Sequence, residues 1–189
     1  MRKFIVFFIV ILLIPKCCYA TERQEVKLKS CIDGDTANFI LNNKVIKVRF
    51  LAIDSPEIQH DNINAELYAN EAKEYTCNKL IKAVKIELEF DKKSKKRDKY
   101  DRFLAWVFVD GELLQKEIVK NGYAKVKYLY NDYKYTDILF KAQSNAKENK
   151  KGLYSNSSSN DNKSFLDELL SLYKKAKINV IKFFKKILK

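Results

Sequence analysis

The chain has 189 residues, enough for one compact domain with extensions and a core that needs no metal or disulfide staple. With 47% hydrophobic and 32% charged residues it is neither a disordered chain nor a multispan membrane protein. The net charge of +13 points to a polyanion as partner, and the single histidine, His60, excludes nuclease or phosphotransfer chemistry built on two histidines.

Residues 1–20 read as a secretory signal. Arg2 and Lys3 precede an apolar run from Phe4 to Ile14, too short for an ordinary membrane span, and Cys18 and Ala20 supply small residues for cleavage. Export of the mature chain is therefore expected. Cys31 and Cys77 remain after that cut and are able to form one structural disulfide; their separation along the chain does not decide it. No CxxC or Cys/His spacing marks a metal site.

Val26, Leu28 and Ser30 alternate with charged neighbours as a strand. Residues 37–41 and 45–51 read as two further strands, joined at Asn42-Asn43, which tolerates the positive φ of a hairpin. A polar loop, 54–64, leads to a helix over 65–81 capped from around Asn64. Residues 84–90 alternate as a strand and 92–99 form a basic loop. A strand over 103–109 closes at Asp110-Gly111. A short helix, 113–120, stops at Asn121-Gly122. A strand over 123–128 and a helix over 136–151, capped by Thr136 and ended by Gly152, complete the body. Five short strands with helices inserted late fit an α+β, mainly β chain: a small barrel with helices packed on it, such as the OB fold.

The domain organisation read from this pattern is a signal at 1–20, a body at 21–154, a polar linker at 155–164 and a basic amphipathic helix at 165–189. The last segment carries seven Lys against Asp167 and Glu168, with Phe183, Phe184, Ile187 and Leu188 near its end. It suits an anionic membrane surface, an extra grip on nucleic acid, or packing on the barrel.

Chemistry concentrates in three stretches: Asp33-Gly34-Asp35-Thr36, Arg49 to Glu57, and Asp98-Lys99-Tyr100-Asp101-Arg102. Pro56 fixes its own φ and forces Ser55 out of helical geometry, so Asp54 and Glu57 leave a strand in a defined turn. Asp35 and Asp54 offer hard oxygen ligands suited to Ca²⁺ or Mg²⁺. Only five of the basic residues are Arg, and two of them, Arg49 and Arg102, stand in these motifs. Guanidinium groups beside a metal and a free carboxylate are what phosphodiester cleavage requires: cations for the charge on phosphate oxygens, and Glu57 to take a proton from water.

These motifs, in this order, resemble the thermonuclease, or staphylococcal nuclease-like, family over about 25–154. The resemblance implies a five-stranded OB-fold barrel with three helices, and Ca²⁺-dependent hydrolysis of DNA and RNA at the 5′ P–O bond to leave 3′-phosphates. It implies Asp35 and Asp54 as Ca²⁺ ligands through carboxylates, Ser55 through its carbonyl, Glu57 as general base, and Arg49 and Arg102 as phosphate-binding arginines. Lys99, Tyr100, Tyr128 and Tyr130 match substrate-contacting positions. The expected enzyme is a monomer. Asp101 departs from the family's usual Gly and sets a negative charge beside the site; Ser55 replaces the more usual Thr. The rival reading is a non-catalytic OB-fold module that binds single strands and is tethered to a membrane. It requires aromatics and a basic groove but no carboxylate cluster.

Overall fold

The computed structural model describes residues 23–58 and 65–155. The expected signal, His60, the helix cap near Asn64, the linker beyond Ser155 and the tail helix lie outside the described residues.

Strands β1 (Gln24–Cys31), β2 (Thr36–Leu41) and β3 (Lys44–Phe50) form an antiparallel meander. Asn42 and Asn43 turn β2 into β3 with φ of 50° and 61°, the two positive values that a tight hairpin of right-handed twist demands. After the short β4 (Ile53–Asp54) come β5 (Ile86–Glu89), which pairs with β1, and β6 (Phe103–Val109), which pairs with β5. β6 also runs parallel to β3, with Val48 opposite Phe103 and Phe50 opposite Ala105. That contact closes β1, β2, β3, β6 and β5 into a five-stranded barrel, as expected. The Asp110-Gly111 hairpin, φ 50° and 87°, adds β7 (Glu112–Leu113) to β6. A separate two-stranded ribbon pairs β4 with β8 (Lys125–Val126).

Phe39, Val48, Phe50, Leu88 and Trp106 fill the core. β6 is buried on both faces, so its run Ala105–Val109 is continuously apolar rather than alternating. The buried Gln115 splints it: its amide accepts from Val107 N–H at 3.1 Å and donates to Ala105 C=O at 3.0 Å.

Three helices cover the barrel: α1 (Ala69–Ile81), α2 (Leu114–Lys120) and α3 (Thr136–Glu148). Their ends correct several sequence expectations. α1 starts at Ala69, not at 65, because Glu66 is tied backwards. Its N–H donates to Glu57 C=O at 3.0 Å and its carboxylate accepts the Glu57 N–H at 3.2 Å. Tyr68, with φ 68°, then breaks the chain into the helix with no side-chain cap.

Thr136 is the first helical residue of α3 rather than its cap. α3 ends at Glu148 and not at Gly152, because Lys150 takes the left-handed position (φ 49°). Lys150 N–H donates to Lys147 C=O and Lys151 N–H to Ala146 C=O, the paired bonds of a Schellman closure. Gly122 does fill that role for α2, with φ 73°. The strand expected over 84–90 shrinks because Val84 and Lys85 N–H groups go to the Asp110 carboxylate, at 3.0 and 2.8 Å, instead of to a ladder. The strand expected over 123–128 pairs only at 125–126.

Candidate active site

Asp35 leaves a tight turn between β1 and β2. Ile32 and Asp33 N–H groups donate to Thr36 C=O, and the Asp33 carboxylate accepts the Asp35 N–H at 2.9 Å. Gly34 is needed here for room. A Cβ at that position would stand 2.8 Å from Ser55 Cβ and 2.9 Å from Ala72 Cβ. With nothing in between, Ser55 closes on the turn and donates its N–H to Asp35 Oδ2 at 2.6 Å, while Thr36 Oγ1 donates to Oδ1 at 3.0 Å.

The second carboxylate arrives by a reversal after β3. Ala52 adopts φ 64°, a left-handed conformation that costs a non-glycine residue about 1–2 kcal/mol. Its carbonyl accepts Lys127 N–H at 3.1 Å, and the β4–β8 ribbon then fixes Asp54 opposite Lys125. The result is convergence on one side chain. The buried Arg49 guanidinium meets Asp35 Oδ2 through Nη1 at 2.5 Å and Asp54 Oδ1 through Nη2 at 3.0 Å. The Nη1 contact is an ion pair without hydrogen-bond alignment, so this buried donor remains unsatisfied. Tyr128, at φ 59°, brings its ring 5.8 Å from the same guanidinium.

Lys127 is a member of this site that the sequence motifs did not reveal. Its Nζ lies 2.9 Å from Asp54 Oδ2. The only signal was its place beside Tyr128; the pairing with Asp54 is made by the ribbon. Burial pushes the Asp35 carboxyl up, to about 7, with the Asp33 carboxylate adding to it and Arg49 and Ser55 opposing.

Two carboxylates, one from the β1–β2 turn and one from β4, both held by cationic side chains, are a donor set that a hard divalent cation would fit. No group of three or more His, Cys, Asp or Glu suited to a metal occurs among the described residues. Asp35 and Asp54 would therefore share the ion with a backbone oxygen and water, as Ca²⁺ and Mg²⁺ accept.

The second half of the site is the loop before β6. Asp98 is its hub, a role that no motif announced. Oδ1 accepts Tyr100 N–H at 2.9 Å and Arg102 N–H at 3.0 Å, and Oδ2 accepts Arg102 Nε–H at 2.7 Å. Among the described residues the Arg102 guanidinium is hydrogen-bonded through Nε, and it sits 5.3 Å from the Tyr100 ring. The turn that sets this geometry needs Asp101 at φ 61°, which Asp supplies in place of Gly. The Asp101 carboxylate is drawn to Arg97, not to Arg102. β3 and β6 are neighbours, so Arg49 on β3 and Arg102, which immediately precedes β6, belong to adjacent stretches of the barrel.

Glu57 is exposed, two residues past Ser55, with its backbone clasped to Glu66. Lys99 Nζ lies 4.8 Å over the exposed Tyr100 ring. Tyr128 and Tyr130 are 45% and 78% exposed, so neither belongs to the core.

A family model described as staphylococcal nuclease homologue matches residues 47–156. The SPbeta prophage-derived endonuclease YokF of Bacillus subtilis (strain 168) is 38% identical over 135 residues, 71% of this chain and 45% of that protein. Endonuclease YncB of the same organism is 38% identical over 141 residues, 74% of this chain and 66% of its own length. The thermonuclease of Staphylococcus hyicus is 34% identical over 135 residues, covering 71% and 78%. The chain thus spans about half the length of the first of these relatives and about two thirds of the second.

Proposed function

The chain belongs to the staphylococcal nuclease homologue family, and from that footing we propose that it is a Ca²⁺-dependent endonuclease acting on DNA and RNA. The observation that carries this reading is the convergence of Asp35 and Asp54 on the buried Arg49, whose Nη1 lacks an aligned acceptor.

Asp35, Asp54 and the Ser55 carbonyl would hold the ion. When bound, Ca²⁺ supplies positive charge against the phosphoryl oxygen as the bond breaks. Arg49 offers a preorganised guanidinium, the forked positive group that suits phosphate oxygens. Arg102, steered through Nε by Asp98, presents its Nη edge to the same charge. Both are held before substrate arrives, so little reorganisation is left for the moment of reaction. Glu57, exposed and close in sequence to Ser55, takes the proton from the attacking water. Scission of the 5′ P–O bond leaves a 3′-phosphate. Tyr100, Tyr128 and Tyr130 offer exposed rings for the nucleotide, and Lys99 a charge for its backbone.

The test is cleavage of DNA and RNA by the purified full chain with Ca²⁺ or excess EGTA, with product ends identified. Ca²⁺-dependent products ending in 3′-phosphate are expected. Undiminished cleavage in EGTA would overturn the metal role; no cleavage under any condition would overturn the hydrolase.

A further inference from the structure

Two thiols meet behind the turn that carries Asp35. Cys31 is the last residue of β1, and Cys77 lies on α1, the helix that packs against β1. Both are half-buried free thiols, and Cys77 lies close enough to Cys31 to perturb it electrostatically. The backbone around them is pinned. Thr76, next to Cys77, donates its Oγ1 to Gly34 C=O at 2.8 Å, and Ala72 on the same helix closes on Gly34. Two thiols that neighbour each other between a strand end and a docked helix are placed for a bridge, which asks for Cα atoms about 4.4–6.8 Å apart.

We propose that Cys31 and Cys77 are a disulfide site that staples β1 to α1 beneath the Asp33–Asp35 turn. The inference goes beyond the proposed reaction and stands whatever the substrate is. The closed loop, 31–77, contains Asp35, Arg49, Asp54, Ser55 and Glu57. One bridge would constrain in the unfolded chain most of what the candidate site is made from.

The oxidant is a disulfide, RSSR. Cys77 attacks one of its sulfurs as thiolate, forming a mixed disulfide and releasing one RS⁻. Cys31 then attacks the Cys77 sulfur and releases the second RS⁻. The two cysteines lose two protons and two electrons, and RSSR becomes two RSH. Burial, and then the neighbouring Cys77, push Cys31 up to about 12, so little of it is thiolate at neutral pH and its attack is slowed. Chains exported to an oxidising compartment, as residues 1–20 lead one to expect here, meet such oxidants.

The full chain, equilibrated with oxidised or reduced glutathione, is alkylated and digested with trypsin without reduction. The expected product of oxidation is one cross-linked pair of peptides, Ser30–Lys44 with Glu74–Lys79, that dithiothreitol abolishes. The oxidised protein should melt about 10 °C above the reduced one, and Cys31→Ala and Cys77→Ala should each erase that difference. Complete alkylation of both cysteines in oxidised glutathione, or capture of either only by glutathione, Cys17 or Cys18, would overturn the site. A cross-link with no change in melting would overturn the staple.

Discussion

Arg102 owes its aim to Asp98, and that dependence is measurable. Asp98 is pushed up by burial but pulled further down by the Arg102 N–H, its guanidinium and the Tyr100 N–H, so its net shift is below the ordinary carboxylate value. A depressed acid stabilises the fold fully above its unfolded pKa, about 3.8, and loses that contribution as pH falls through the lower folded value. Asp98→Asn should cost about 1–3 kcal/mol at pH 7 in urea unfolding, and the gap to wild type should close below about pH 4. It should also lower turnover through a loosened Arg102. At the other guanidinium, Arg49→Lys should lower turnover by about 10²-fold, since a point charge cannot span Asp35 and Asp54; near wild-type turnover would remove Arg49 from the reaction. In the proposed cation role of Asp54, Lys127 would compete for the carboxylate. Lys127→Ala should therefore tighten half-saturation by Ca²⁺ by up to about fivefold, read by titration.

At the scale of elements, two glycines act through the space they leave. A Cβ on Gly122 would lie 2.1 Å from Lys151 C=O, and φ is +73°. Gly122→Ala should destabilise by about 3 kcal/mol in denaturant, from backbone strain and the forced separation of α2 from the 152–154 turn. Gly34→Ala should instead damage the site, driving Ser55 and α1 from the Asp35 turn, with loss of Ca²⁺ response exceeding loss of stability. Elements written in local chemistry were legible in the sequence. Asn42-Asn43, Asp110-Gly111 and Asn121-Gly122 all turn where their residue types demand. Those set by distant partners were not. The start of α1 depends on Glu57 meeting Glu66, the start of β5 on the Asp110 carboxylate, and the end of α3 on a lysine in a position usually given to glycine. The site divides in the same way. Asp35, Arg49, Asp54 and Ser55 lie in short motifs, and the fold brings them into contact. Lys127 joins them only because β8 pairs with β4, and Asp98 only because its loop folds back on Arg102.

For the whole molecule, burial of Asp35 links proton, cation and stability. Its carboxyl is pushed up to about 7, from 3.8, chiefly by removal from water. Between those two values the folded cation-free protein holds a proton that the unfolded chain releases. Stability of that form therefore falls as pH rises from about 4 towards 7. A divalent cation held there, as proposed, would reverse the balance, because it would bind the ionised carboxylate and displace the proton when pH lies below about 7. The stabilisation contributed by Ca²⁺ should accordingly grow with pH and level off above neutrality. Melting curves of the full chain with and without saturating Ca²⁺, from pH 5 to 8.5, measure this directly. The Ca²⁺-induced shift should be small at pH 5 and reach its full size near pH 8, while calorimetry in buffers of different ionisation enthalpy should show proton release at pH 6 and little at pH 8. A shift of equal size across the whole range would mean that Arg49, already against Asp35 Oδ2, keeps the carboxylate ionised without a cation. Burial and the guanidinium push Asp35 in opposite directions, and the pH profile decides which of them governs the site.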